Sequence, residues 1–261
     1  ISSIPWGLLS TDGNGFIVAA STPTAANFIA TSTTATSTFA GGVTFSGNLD
    51  FGSSTKWYRG GLSFLTSNVG GDSLFIGTQS GTSTSFANTG VGYQVFANNN
   101  GGYSNSAFGY QSFVSNTDGY YNAAFGRASL YSNTSGHSNA AHGVSALQTN
   151  TTGPRNTATG YRAMFSNTTD AFNTAIGAFS GVQTTGSYNI DIGYNNNNGS
   201  TGDRNIVIGN QINIASTTGS GQLNIGNILF GTDITGTGST ITGNIGIGTT
   251  SPGYALAVEG S

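Results

Sequence analysis

From Asn88 onward the chain alternates polar and apolar residues in short strings that recur at an almost fixed interval, each closing on a glycine and a polar turn. The best-kept strings are NSAFG at 105–109, NAAFG at 122–126, NAAHG at 139–143 and NTATG at 156–160. Their glycines belong to a longer row, Gly92, Gly109, Gly126, Gly143, Gly160, Gly177, Gly193, Gly209 and Gly226, with separations of 17, 17, 17, 17, 17, 16, 16 and 17 residues. Four places before eight of them stands an asparagine (Asn88, Asn105, Asn122, Asn139, Asn156, Asn173, Asn189, Asn205), and Gln222 stands before the ninth. Two columns that hold one register over this length define an internal repeat, and a short fixed period is the signature of stacked coils. The pattern predicts an all-β chain in which 88–226 form a parallel β-roll, one coil of 16–17 residues per repeat, with the glycines in one column. At about 4.8 Å per coil, such a rod is roughly 38 Å tall.

Side-chain columns follow from the same register. One step before the glycines run Val91, Phe108, Phe125, His142, Thr159, Ile176, Ile192, Ile208 and Ile225, and two steps before them Ala107, Ala124, Ala141, Ala158 and Ala175. Adjacent strand residues face opposite ways, so one face is bulky and the other nearly bare. Four steps after the glycine, Phe96, Phe113, Leu130, Leu147 and Met164 form a second apolar column, placed to turn back against the first and close a narrow core. On this reading the alanines lie outside, against a neighbouring subunit or in solvent. Asn99, Asn116, Asn133, Asn150 and Asn167 mark the turn, where asparagine accepts left-handed backbone.

Composition sharpens the picture. Only 6% of residues are charged, against about a quarter in ordinary domains. A charge repeated in one column would face its twin at about 4.8 Å, which costs near 0.9 kcal/mol even in water, whereas Asn, Ser and Thr ladders carry no such repulsion. Aromatic residues at 11% argue against disorder. A coil this short holds few bulky side chains, and so thin a core favours association with copies of the chain. A net charge of −3 with six Lys and Arg argues against a nucleic-acid partner. No apolar stretch has the length of a membrane span, so no membrane insertion is expected. The opening ISSIPWGLLS lacks the basic flank and apolar run of a signal peptide.

Three segments are expected. Residues 1–69 lack the repeat but hold alternating runs from Gly15, Gly42 and Lys56, as in a β-built stalk, with a Ser/Thr linker at 31–38. Residues 70–226 are the roll. In 227–261, Ile245 and Ile247 alternate into a turn at Ser251, Pro252 and Gly253 before Leu256 and Val258 resume a strand.

Catalytic chemistry finds little material. There is no cysteine, and His137 and His142 are the only histidines, so thiolate metal sites and Cys/His pairs are excluded. Asp118 and Asp170 occupy similar turns three coils apart, near 14 Å, too far for a glycosidase pair within one chain. No catalytic residue, cofactor or metal is expected, and the chain reads as a non-enzyme. His142 and Thr159 interrupt the apolar column, and a hydrogen-bonded core histidine is expected over a threefold ion site. Asp191, Asn195 to Asn198 and Asp203 offer oxygen ligands for calcium or simply a polar turn. The sequons at Asn133 and Asn150 arise from the repeat itself. Tyr93, Tyr103, Tyr110, Tyr120, Tyr121, Tyr161 and Tyr194 sit on or beside the turns, suited to stacking on sugars or to lateral packing between subunits. Of these, Tyr103, Tyr120, Tyr121 and Tyr194 are the candidate ligand-binding residues.

The Asn-x-Ala-apolar-Gly units resemble the head repeats of trimeric autotransporter adhesins, in which each chain winds a left-handed parallel β-roll and three rolls associate about an axis. The spacing there is usually shorter. The segment from Gly243 to Val258, with GIGTTSP at its centre, is similar to the stretch that precedes the self-cleaving intramolecular chaperone of phage tail fibres. Together the two resemblances cover about two thirds of the chain. They imply a left-handed, homotrimeric fibre, extracellular or virion-borne, for structural display and surface attachment, with itself and a cell-surface glycan or protein as partners. Ser261 then fits either a maturation end left by chaperone cleavage or an unrelated boundary. Two other classes stay open: a self-assembling filament subunit without a specific ligand, and a fibre-borne polysaccharide hydrolase.

Overall fold

The computed structural model describes residues 9–11, 17–19, 56–59, 62–68, 73–81, 86–182, 185–196, 201–235, 242–253 and 256–258, and among them every regular element is a β-strand. The chain divides into two units, Ile1–Asp50 and Phe51–Ser261. In the first, β1 (Leu9–Thr11) and β2 (Ile17–Ala19) pair antiparallel, with β2 inside the alternating run that begins at Gly15. The run from Gly42 and the tract at 31–38 lie outside the described residues.

The second unit is organised on one 15-stranded sheet. Its centre is a parallel stack: β5 (Ser73–Ile76), β6 (Thr89–Val91), β7 (Ser106–Phe108), β8 (Ala123–Phe125), β9 (Ala140–His142), β10 (Thr157–Thr159), β11 (Thr174–Ile176), β12 (Ile190–Tyr194), β13 (Ile206–Asn210) and β14 (Leu223–Ile225). The register sets repeat on repeat, with Ala107 beside Ala124, Ala124 beside Ala141 and Gly193 beside Gly209. This is a parallel β-solenoid of about 8 turns with coils about 17 residues apart. It starts one coil ahead of the glycine row, since β5 leads into Gly77, whose φ of 130° matches the row and whose interval to Gly92 is shorter. Both ends turn antiparallel. β3 (Lys56–Arg59), β4 (Leu62–Asn68) and β5 form one antiparallel end, while β15 (Leu229–Thr235) and β16 (Thr242–Ile247) form the other, with β17 (Leu256–Val258) alongside β16 in parallel.

From Gly92 through Gly193 each glycine of the row is closed in by its neighbour's backbone. At Gly126, φ is 136° and an added Cβ would fall inside the carbonyl of Gly143, and the same overlap passes from Gly92 through Gly193. Only glycine fits both the conformation and the space.

The faces of the strands are reversed from the expectation drawn from the sequence. Ala107, Ala124, Ala141, Ala158 and Ala175 are 0–1% exposed and line the core, whereas Phe125, His142, Thr159, Ile176 and Ile225 point outward. The second apolar column does lie inside: Phe96, Phe113, Leu130, Leu147 and Met164 are 0–2% exposed. Their rings and branched chains fill the coil's width, so the strand opposite has room for a methyl group and no more. A dense interior admits one large side chain per level here, and the turn supplies it.

The turn residues correct a second expectation. Left-handed backbone falls on the residues two and four steps after the glycine, such as Gln111 (φ 55°) and Phe113 (φ 54°), and on the residue just before the strand asparagine, such as Tyr121 (φ 56°). Asn99, Asn116, Asn133, Asn150 and Asn167 do not adopt it. They are buried and stack amide on amide: Asn116 Nδ2 donates to Asn99 Oδ1 at 2.6 Å, Asn150 to Asn133 at 2.8 Å and Asn167 to Asn150 at 2.7 Å. The strand asparagines form another ladder, in which the backbone N–H of Asn122 donates to Asn105 Oδ1 at 2.9 Å and that of Asn139 to Asn122 Oδ1 at 2.9 Å. The two ladders converge across the coil. Asn105 Nδ2 and Asn116 Nδ2 both donate to the carbonyl of Gly119, at 2.8 and 3.1 Å, and the next coil repeats this on Gly136.

Replacing Gly126 by alanine combines left-handed strain with overlap on Gly143 and should cost about 3 kcal/mol or more, seen as a fall in melting temperature of roughly 6–12 °C. Gly226→Ala, where φ is 62° and nothing lies within 4 Å of the added Cβ, should cost clearly less. Equal losses in thermal denaturation would show that the stacked carbonyl is not the constraint.

Candidate functional site

The turn that precedes each strand asparagine sits at one corner of the coil. Backbone hydrogen bonds tie successive corners together: Ser104 N–H donates to Phe86, Tyr121 to Tyr103, Ser138 to Tyr120 and Arg155 to His137. Rings in this position therefore stand one above another. Tyr103 and Tyr120 stack at 5.0 Å with planes 2° apart, and Tyr120 and His137 at 4.7 Å and 4°. Tyr121 stands edge-on to both tyrosines, at 5.6 and 5.2 Å, and is 59% exposed. Partial desolvation and the neighbouring phenols of Tyr121 and Tyr120 push the Tyr103 hydroxyl above its ordinary pKa. Farther along, Phe172 and Tyr188 stack at 4.8 Å and 3°, with the Arg155 guanidinium 5.1 Å from the Phe172 centroid and that of Arg204 5.6 Å from Tyr188. Such contacts contribute about 0.5–1 kcal/mol each at exposed sites.

Of the four candidate tyrosines, Tyr103, Tyr120 and Tyr121 come together and Tyr194 does not. Tyr194 follows the glycine row on another edge, where it meets Phe179 edge-on at 6.2 Å. Phe86, His137, Phe172 and Tyr188 escaped selection although they hold the same phase of the repeat as Tyr103, Tyr120 and Tyr121. Counting eleven and twelve places from each glycine finds them, apart from the shorter coils.

His142 corrects the expectation of a core histidine. It is exposed on the outer face of the sheet, edge-on to Phe125 at 5.1 Å. The sequon amides of Asn133 and Asn150 are spent inside the ladder and 0% exposed, which leaves neither free to accept a glycan. Asp203 Oδ1 accepts from the Ser187 N–H at 2.7 Å in a turn, while Asp191 lies in the interior. Among the described residues no three His, Asp or Glu side chains gather to hold a metal ion, and no helix is long and apolar enough to cross a membrane.

Asp191 takes the alanine position of its coil, between Ala175 and Val207 in the sheet, and is 3% exposed. Ser180 Oγ donates to its Oδ1 at 2.7 Å and the Gly181 N–H to its Oδ2 at 3.2 Å. Burial drives the carboxyl up to about 6, against a partial pull downward from the hydrogen bonds of Ser180, Gly181 and Asn196. This coil also breaks the asparagine pattern, for Asn189 Nδ2 finds no hydrogen-bond partner.

No protein-family model, curated protein or solved structure matches the chain.

Because the folded carboxyl of Asp191 holds its proton more tightly than the unfolded one, its contribution favours the fold at acid pH and is lost as pH rises through about 6. The loss is on the order of 3 kcal/mol. Asp191→Asn should flatten the melting-temperature profile between about pH 4 and pH 7. A slope identical to that of the wild type would remove Asp191 as its source.

Proposed function

We propose that the chain is a subunit of a left-handed, homotrimeric β-solenoid fibre, extracellular or virion-borne, that acts by structural display and surface attachment and does no chemistry. The outer face of the sheet carries this reading. From β5 to β14 the outward strand positions include Leu74, Ile76, Val91, Phe108, Phe125, Ile176, Ile190, Ile192, Ile206, Ile208, Leu223 and Ile225, and no Asp, Glu, Lys or Arg is among them. The strip continues onto the end strands, where Ile225 pairs with Leu229, Leu229 with Ile247, and Leu256 with Ile245. Leu256 is 65% exposed and Ile247 39%. The charged residues of the roll lie elsewhere, Asp118, Arg127, Arg155, Arg162, Asp170, Asp203 and Arg204 in turns and Asp191 inside. Such segregation leaves an uncharged outer face roughly 55 Å long at about 4.8 Å per strand, whose apolar run is interrupted at mid-length by His142, Thr157 and Thr159.

A copy of the same chain offers the matching strip, and the repeated spacing lets two or three copies interlock level by level. The likeness of the repeats to trimeric adhesin heads favours three copies and the left hand. The contact is assigned to this face and not to the alanines, which are already consumed by the core. The antiparallel ends interrupt the parallel stack and favour discrete rods over end-to-end filaments. Attachment then belongs to the turns that stay outside, and three chains multiply weak sites into avidity.

Phe108→Glu with Phe125→Glu places like charges at two packed levels and should yield a folded monomer by light scattering, with a β-type circular dichroism spectrum. Ala124→Glu, inside the coil, should instead abolish folding, since burying an unpaired carboxylate costs several kcal/mol. A monomeric wild type, or a double variant whose mass is unchanged, would remove the outer face as the interface.

A further inference from the structure

The corner ladder is more regular than lateral packing requires. Phe86, Tyr103, Tyr120, His137 and Pro154 occupy the same corner on successive coils, and Tyr103, Tyr120 and His137 stack ring on ring over three of those levels. The centroid intervals, 5.0 Å from Tyr103 to Tyr120 and 4.7 Å from Tyr120 to His137, are close to the coil rise and exceed the contact thickness of two rings, about 3.5–4.0 Å. Coplanar rings at that separation are slipped past one another like roof tiles. Each of these three covers part of its neighbour and leaves part of a face and its polar edge open, consistent with an exposure of 37% at Tyr103, while Phe86 at the same corner is 61% exposed. Tyr121 adds a perpendicular ring beside the row.

We propose that this ridge is a binding platform for an extended, β-linked, uncharged polysaccharide laid along the axis of the coil stack. The inference rests on the attachment reading and names the ligand class at the same turns. An extended pyranose chain advances per sugar by nearly the coil rise, so successive C–H faces meet successive tiles, while sugar hydroxyls meet the phenols and the His137 ring nitrogens. Ring faces bind apolar C–H patches, and phenol edges satisfy hydroxyls that would otherwise lose water. The row over Phe86, Tyr103, Tyr120, His137 and Pro154 contains no Lys or Arg, which disfavours an anionic polymer; Arg155, next to Pro154, is turned onto Phe172. Many shallow contacts in register make binding grow with chain length.

The test is affinity electrophoresis of the intact chain in native gels containing hydroxyethyl cellulose or glycol chitin, with dextran as the α-linked control. Wild type should be retarded by at least one of the two β-linked polymers and not by dextran. In titrations with cello- and chito-oligosaccharides, the hexamer of that sugar should bind at least tenfold more tightly than its dimer. Tyr103→Leu with Tyr120→Leu should abolish the retardation while the circular dichroism spectrum is kept. Phe172→Leu, on the separate Arg-capped stack, should leave retardation unchanged. Absence of retardation by both β-linked polymers, equal retardation by dextran, or a double variant that binds like wild type would overturn the assignment. Light scattering on the same samples separates the two claims: a trimer that is not retarded overturns the ridge alone, and a retarded monomer overturns the trimer alone.

Discussion

The buried asparagine ladders are the interaction on which the rest of this structure depends. A coil only one large side chain wide cannot cover its own turns with hydrophobic bulk, so the amides of those turns must be satisfied from within. Asn105 does this three ways, accepting from the Asn122 N–H, donating to Asn88 Oδ1 and donating to the Gly119 carbonyl. Each unmade bond of this kind costs about 1–3 kcal/mol when buried. Because each ladder bond runs from an asparagine to the oxygen of its equivalent on the preceding coil, a coil is complete only when its neighbour is in place. That is the physical content of a fixed period, and it explains why the asparagine column is kept more strictly than the apolar one.

The ladders also decide what faces out. With two amide columns and one row of Phe, Leu or Met inside, the remaining interior holds a methyl group, and alanine fills it. The bulkier apolar residues are left on the outer face of the sheet, where Phe108 and Phe125 stack at 4.9 Å without a cover in the single chain. Apolar surface that the coil cannot bury is surface that a second copy can. The thinness of the core and the proposed self-association are thus one constraint seen from the two sides of a strand.

The same periodicity makes the exterior a set of rows. Any residue type at a given phase is repeated at the coil rise, so Tyr103, Tyr120 and His137 become a ladder, and Arg155, Phe172, Tyr188 and Arg204 another. Rows of this kind suit extended partners and distributed contact. Asp191, the strongly shifted carboxylate, is enclosed by Ser180, Gly181 and Asn196. Its place at a shortened coil, beside the unpartnered Nδ2 of Asn189, marks an irregular level of the stack.

Sequence alone established the coil, its length and its register, because the glycines and asparagines are required by backbone geometry that repeats with them. It also placed Phe96, Phe113, Leu130, Leu147 and Met164 inside, and it put Tyr103, Tyr120 and Tyr121 on the turns, though grouped with Tyr194, which stands on another edge. Alternation could not say which face of a strand was the inner one, since period two is symmetric between faces and the larger residues were taken to be core. Only the tertiary structure decided that question, through the space left after the turn residues and the amide ladders were packed. For the same reason the left-handed positions moved from asparagine to Gln111, Phe113 and their equivalents: the asparagine side chains were needed across the coil, and the sharp bends fell to residues that burial holds in place.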